Sequence, residues 1–126
     1  MCMNFTGSTK NYFTKWNDFS SRISRSEYWW GYLGIILISL VFGFIVGFTL
    51  AIMGASEGQI NLAILPFQLF TIIASISLVA RRFHDSDRSG WWQLLSLTII
   101  GIIPVFYWLC KKGDEEDNRF GADPLL

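Results

Sequence analysis

The sequence predicts an all-α integral membrane protein with about three transmembrane helices, preceded by a short amphipathic helix at the membrane interface. Apolar residues make up 52% of the 126 residues and charged residues only 16%, whereas soluble domains usually have about 25% charged residues. Charges are absent from three long stretches, 28–56, 58–80 and 89–110. A helix in water has a polar face, and these stretches have none, so a bilayer is their expected solvent.

Residues 1–126 are predicted to form one membrane domain, because this length suits a single domain. Ten basic and ten acidic residues cancel, and the basic ones form no extended patch. Nucleic acid is therefore not an expected partner. The lipid bilayer is, and a homo-oligomer or another membrane protein is a further candidate.

Residues 1–28 form a lead-in to the first span. Aromatic and other apolar residues recur there at about helical spacing, with charges between them: Tyr12, Phe13, Trp16, Phe19 and Ile23. This pattern predicts a helix lying in the headgroup zone. The alternative is an irregular segment whose aromatics pack on the helical bundle.

The first transmembrane helix is predicted over 29–53. Ser24 and Glu27 have the spacing of a capping box immediately before the charge-free run, and Trp29 and Trp30 are typical interface anchors. At ~1.5 Å per residue the segment exceeds the ~30 Å hydrocarbon core, so it must tilt or extend into the interface. Its small-residue face favours close helix packing, within the chain or between chains, at Gly43 and Gly47.

A second helix is predicted over 60–80, antiparallel to the first because the linking turn, 54–59, is short. Pro66 should kink this helix or mark its true start. Gln68 lies near mid-depth, where an amide most often serves as a hydrogen-bonding contact between helices.

The third helix is predicted over 91–110, anchored by Trp91 and Trp92 and followed by a polar tail, 111–126. Gly101 and Pro104 interrupt this segment, so a re-entrant course is the alternative to a full span.

The distribution of basic residues predicts the orientation. The lead-in and the loop 81–90 supply seven basic residues and the tail supplies three, which places the lead-in and the loop in the cytoplasm. Lys111 and Lys112 abut the third segment and oppose this assignment. The side of the membrane on which the tail lies therefore stays open.

Three motifs occur in order along the chain: Arg22-Ile23-Ser24-Arg25-Ser26-Glu27-Tyr28-Trp29, then Arg81-Arg82-Phe83-His84-Asp85 through Arg88-Ser89-Gly90-Trp91-Trp92, then Asn118-Arg119-Phe120-Gly121-Ala122-Asp123-Pro124. Together they resemble the motifs of a family of small bacterial inner-membrane proteins, domain of unknown function 805. Ser21 and Asp87 stand where that family often has glycine, and Ala122 where it often has proline. The resemblance implies the bacterial inner (plasma) membrane and no particular activity.

The polar residues of these motifs form a candidate interfacial site: Arg22, Arg25, Glu27, Arg81, Arg82, His84, Asp85, Arg88, Ser89, Gly90, Asn118, Arg119 and Asp123. In the simplest interpretation, the loop arginines pair with lipid phosphate or with Asp85 and Asp87, while Ser89 caps the third helix. Three scattered carboxylates are a faint signal for a cation, so no metal, cofactor or catalytic residue is assigned.

The expected function is a membrane scaffold, or a protein that binds a partner or lipid headgroups, and not an enzyme. One alternative is an oligomeric transport or channel component, because three helices cannot enclose a pore. The other is a lipid-headgroup enzyme using His84, which can change charge near neutral pH, together with Asp85.

Overall fold

The computed structural model describes residues 4–125, which are folded into helices. A short helix α1 (Phe5–Thr14) precedes two long helices, α2 (Arg25–Ile52) and α3 (Glu57–His84). A 3-10 helix (Gly90–Leu97) and helix α4 (Ile99–Cys110) complete the chain.

Helices α2 and α3 form an antiparallel pair whose outer surface is apolar. Each is 28 residues long and apolar enough to cross a membrane. Large side chains point outward along both, among them Leu40, Phe44 and Leu62, which are 66–70% exposed. Such a surface is costly in water and is the one that hydrocarbon requires.

Serine caps begin both long helices. Ser24 Oγ accepts from the Glu27 amide at 3.3 Å, as predicted, but the Glu27 carboxylate turns to Asn11 Nδ2, 3.0 Å away. A complete capping box occurs instead at the start of α3, where Ser56 and Gln59 exchange two hydrogen bonds.

Helix α2 begins before its predicted start at 29, and α3 extends past both of its predicted limits, 60 and 80. Helix α3 runs continuously through Pro66, which is therefore not its start, and ends at His84. The predicted loop 81–90 is accordingly wrong in its first part, because Arg81 to His84 form the last helical turn. Basic residues at a helix C-terminus interact favourably with the helix dipole, which explains the extension.

A continuous third helix over 91–110 is not present. Thr98 is extended at the junction of the two helical pieces, and its hydroxyl caps α4 by accepting from Gly101 N at 3.0 Å. Any side chain at Gly101 would overlap the Leu95 carbonyl, so glycine permits this tight turn. Helix α4 has only 12 residues, roughly 18 Å at 1.5 Å per residue, too short for a full span.

The segment from Gly90 to Leu109 begins and ends at the same end of α3. At its start, a Cβ on Gly90 would lie 2.7 Å from the Cβ of Ala80. At its finish, the Leu109 carbonyl accepts from Arg82 Nε at 3.1 Å. Both ends of the segment therefore lie at the C-terminal end of α3, an arrangement that agrees with the re-entrant alternative and not with a third full span.

Helix α1 packs into the angle between α2 and α3, so the predicted helix exists but with different bounds and contacts. It ends at Thr14, so the last three residues of the predicted pattern, Trp16, Phe19 and Ile23, lie outside it. Tyr12 is 1% exposed, and its hydroxyl contacts Ser75 Oγ at 2.8 Å and donates to the Thr71 carbonyl at 3.0 Å. These contacts make α1 part of the bundle.

The glycines that pack helices together are not the predicted ones. A Cβ at Gly43 or Gly47 would meet nothing within 4 Å, so neither packs within the chain. A Cβ at Gly34 would overlap the side chain of Thr9, and one at Gly31 would lie 3.5 Å from the Ser8 carbonyl. Helix α1 therefore approaches α2 closely at these two positions.

We expect Gly34→Ala to destabilise the protein by about 1–3 kcal/mol, because the new methyl group displaces Thr9 and lifts α1 from α2. Thermal unfolding in detergent micelles measures the effect. Gly43→Ala is the matched control and should be neutral or stabilising, since alanine favours a helix by about 0.5–1 kcal/mol. Equal effects of the two substitutions would contradict the observed packing of α1.

Candidate functional site

A buried carboxylate lies between two buried guanidinium groups at the polar end of the helix pair. Asp85, the residue that caps the C-terminus of α3, is 4% exposed. Its Oδ1 accepts from Arg22 Nη2 at 2.9 Å and from Arg22 Nε at 3.2 Å. Its Oδ2 accepts from Arg82 Nη1 at 2.8 Å. We call Arg22, Arg82 and Asp85 the arginine clasp.

The other donors of Arg22 bind the backbone of the tail. Nη1 donates to the Glu116 and Gly121 carbonyls at 3.0 and 2.9 Å, and Nη2 donates to the Asp114 carbonyl at 2.8 Å. One side chain from the lead-in thus connects α3 to three points of the tail.

Arg82 makes the corresponding connection between α3 and the end of α4. Besides Asp85 it donates to the Leu109 and Lys111 carbonyls, which belong to the last turn of α4 and the residue that caps it. The tail passes directly over Asp85, since a side chain at Gly113 would overlap that carboxylate and Asp114 N donates to the Asp85 carbonyl at 2.7 Å. The clasp therefore closes the re-entrant segment.

Burial raises the pKa of Asp85, and the hydrogen bonds and positive charges of Arg22 and Arg82 oppose that rise. Removing one partner from such a buried group leaves an uncompensated charge, which costs about 3–5 kcal/mol. The three side chains consequently act as one unit.

His84 has structural contacts on three sides. Its Nδ1 donates to the Ser21 carbonyl at 3.0 Å, and its ring stacks on Phe120 with centroids 3.8 Å apart. Asn118 Nδ2 donates to the His84 carbonyl at 2.9 Å. The imidazole and the Asp85 carboxylate have different partners, so this geometry does not form a His–Asp dyad.

Arg81 is fully buried beside the loop that follows α1. It donates to the Ser77 carbonyl and hydroxyl, both at 3.4 Å. Asp18 lies in that loop and contributes a favourable charge. Burial would raise the pKa of Asp18, but hydrogen bonds from Ser21 and Ser20 outweigh it and lower the pKa to about 2.

The loop 85–89 is fixed by aromatic and ionic contacts. The Arg88 guanidinium lies 4.3 Å from the centroid of the Trp108 ring, which packs edge-on against Trp92 at 5.6 Å. Arg119 pairs with the exposed Asp87 at 3.4 Å. Asp87 has φ of 55°, a left-handed conformation that favours glycine.

An open cleft of about 480 Å³ lies at the start of α2. The side chains that line it combine one exposed cation with hydroxyl groups and an indole: Ser24, Arg25, Ser26, Trp29, Cys110 and Leu125. Among the described residues, Arg25 makes only a long hydrogen bond, 3.5 Å, to the Cys110 carbonyl. The backbone N–H groups of the α2 N-terminus add a partial positive charge to this cleft.

The predicted site residues thus fall into two sets. The fold brings together the clasp, His84, Asn118 and the surrounding loop. Asp123 accepts from Leu125 N and lines a small pocket with Arg25 and Asp85, and Ser89 caps the 3-10 helix by accepting from Trp91 N. The remainder lie apart: Trp30 packs on Phe5, Trp91 is 77% exposed, and Glu27 binds Asn11. Within residues 4–125, no three His, Cys, Asp or Glu side chains could jointly hold a metal ion.

The sequence did not predict that Gly113 and the backbone carbonyls of the tail belong to this site. No sequence pattern distinguishes one backbone carbonyl from another, and Gly113 has the position of an ordinary glycine that follows a helix. The sequence feature that could have indicated this site is Arg22, because an arginine just before a membrane-spanning segment needs a counterion.

We expect Asp85→Asn to lower the free energy of unfolding by about 3–5 kcal/mol and to release the tail, because two buried guanidinium groups lose their counterion. Limited proteolysis reports tail release, and thermal unfolding in micelles reports stability. Asp87→Asn is the control, since its exposed ion pair contributes at most about 1 kcal/mol. A tail equally resistant to protease in both variants would contradict this role of the clasp.

Comparison with known proteins gives the same family as the sequence motifs. A family model described as protein of unknown function (DUF805) matches residues 16–122. The inner membrane protein YhaH of Escherichia coli K12 is 33% identical over 110 residues, covering 86% of this chain and 88% of its own. The inner membrane protein YhaI of the same strain is 35% identical over 107 residues, covering 84% and 85%. No solved structure matches the chain. The helix pair, the three motifs and these relatives together show that this inner-membrane chain belongs to the DUF805 family.

Proposed function

We propose that this protein is a membrane scaffold. Its polar end, which contains the arginine clasp, lies at the cytoplasmic face and binds the headgroups of anionic phospholipids. The observation that carries the proposal is the cleft at the start of α2, where the exposed Arg25 adjoins a helix N-terminus and an interfacial indole, Trp29. Phosphate oxygens are suited to this combination, because guanidinium and backbone N–H groups both donate to them.

The re-entrant course of α4 supports the cytoplasmic orientation. With three full spans, Lys111 and Lys112 would face the opposite side from the other basic residues. The observed fold returns the tail to the clasp, and the turn between α2 and α3 contains no basic residue. All ten Lys and Arg residues then lie on the side to which positive charge is normally retained.

The contacts of the clasp favour a scaffold over an enzyme. Asp85 is engaged by two arginines, and His84 is held by Ser21 and Phe120. A general acid or base needs a titrating atom within reach of a substrate. The Asp85 carboxylate is enclosed by its two arginines, and His84, although it lines an open cleft of about 310 Å³, has its Nδ1 bonded to the Ser21 carbonyl. A rigid polar platform is the use that this arrangement serves best.

A reporter active on one side of the membrane tests the orientation. We expect a fusion after Leu126 to report the cytoplasm and a fusion within 54–59 to report the periplasm. A periplasmic tail would mean that α4 crosses the membrane, and the clasp as described would not form. Cytoplasmic signals from both fusions would contradict the α2–α3 hairpin.

Native mass spectrometry of the detergent-solubilised protein tests headgroup binding. We expect phosphatidylglycerol to be retained in preference to phosphatidylcholine, and Arg25→Gln to weaken that retention about fivefold, because one basic residue near a membrane contributes ~1 kcal/mol. Arg119→Gln is the control, since that cation is paired with Asp87 away from the cleft. Equal retention of both lipids by the unmodified protein would overturn the proposal.

A further inference from the structure

One amide side chain lies within the apolar part of the helix pair without an intramolecular partner. Gln68 is exposed on α3, 11 residues from Glu57 and 16 from His84, and so lies at hydrocarbon depth. Across the described residues 4–125, nothing hydrogen-bonds to its side chain, although its backbone carbonyl accepts from Thr71 Oγ1. Lipid tails offer neither donor nor acceptor, so this amide needs another protein group.

The geometry of the helix pair places Gln68 on the same flank as Gly43. The rings of Phe42 and Phe67 stack with centroids 4.4 Å apart, so these two positions face each other across α2 and α3. Because the helices are right-handed and antiparallel, the residue after each phenylalanine turns to the same flank. Gly43 follows Phe42 and Gln68 follows Phe67, at the same depth.

Other contacts agree with this assignment. Ser39 of α2 and Thr71 and Ser75 of α3 line one open groove of about 350 Å³ on that flank. Helix α1 occupies the opposite flank, where Phe13 stacks on Phe70 at 5.8 Å. Apart from the Tyr12 hydroxyl, which hydrogen-bonds Thr71 and Ser75 from between the helices, the flank that carries Gln68 is therefore free of α1.

We propose that two copies of this chain associate in the membrane through the flank that carries Gln68 and Gly43, with their Gln68 amides hydrogen-bonded to each other. A carboxamide is self-complementary, since its oxygen accepts and its NH₂ donates. Copies inserted in the same orientation are related by a two-fold axis along the membrane normal, which brings Gln68 to its own counterpart at equal depth.

Gly43 makes the close approach feasible. A Cβ there would meet nothing within 4 Å inside the chain, so the position is open to a second helix. Small residues at such positions allow helix backbones to approach, and the amide pair then supplies the polar attraction that lipid cannot. This association is independent of headgroup binding, because the Arg25 cleft lies at the other end of α2.

Energy transfer between two fluorescent fusions of the full chain in liposomes of Escherichia coli polar lipids tests the proposal. We expect transfer that saturates as for a dimer over a protein-to-lipid dilution series. Gln68→Leu should weaken association about tenfold, whereas Gln68→Asn, which keeps the amide, should retain most of it. Leu69→Ala, one position away on a different face of α3, is the control and should leave association unchanged.

Gly43→Ile provides a second test that does not touch the amide. It should also weaken association, while thermal unfolding of the detergent-solubilised monomer should be unaffected because the position is open. Transfer no greater than for an unrelated single-copy membrane protein would overturn the proposal and leave the flank to lipid or to another protein. Unchanged association in Gln68→Leu, or equal loss in the leucine and asparagine variants, would also overturn it.

Discussion

The carboxylate of Asp85 is buried where α3 ends, and it has to be neutralised there because a lone charge in that position is too costly to retain. Arg22 from the lead-in and Arg82 from α3 both serve this need, and each has donors left over. These remaining N–H groups donate hydrogen bonds to backbone carbonyls of the tail and of the end of α4. The positions of the lead-in, the re-entrant segment and the tail therefore all depend on one anionic side chain.

This dependence explains how so short a chain supports a re-entrant segment. Non-helical backbone at membrane depth needs protein around it, and two spanning helices offer little cover. Here Thr98 and Gly101 make the turn, the 3-10 helix and α4 supply most of their own hydrogen bonds, and Arg82 fastens the returning end. Helix α1 contributes further cover by inserting Tyr12 between α2 and α3.

The two halves of the molecule consequently differ in character. The polar end is densely connected, with buried charges, stacked rings and fixed loops, and suits a platform at headgroup depth. The opposite half is a hairpin whose apolar side chains face outward, interrupted by the open Gly43 and by Gln68, whose side chain has no hydrogen-bond partner among residues 4–125. This difference underlies the two proposals, headgroup binding at the polar end and association of two copies through the hairpin.

The sequence by itself determined the membrane class, the two long helices, the Ser24 cap and the polar motifs, because charge-free runs and capping serines act locally. It predicted that the loop arginines could pair with lipid phosphate or with Asp85 and Asp87, as Arg82 does with Asp85, but not the pairing of Asp85 with Arg22, 63 residues away. Only the tertiary structure decided that the end of α4 returns to the C-terminal end of α3 and that α1 packs on Gly34. Both results rest on contacts between distant segments and on backbone carbonyls, which every residue possesses and no sequence pattern distinguishes.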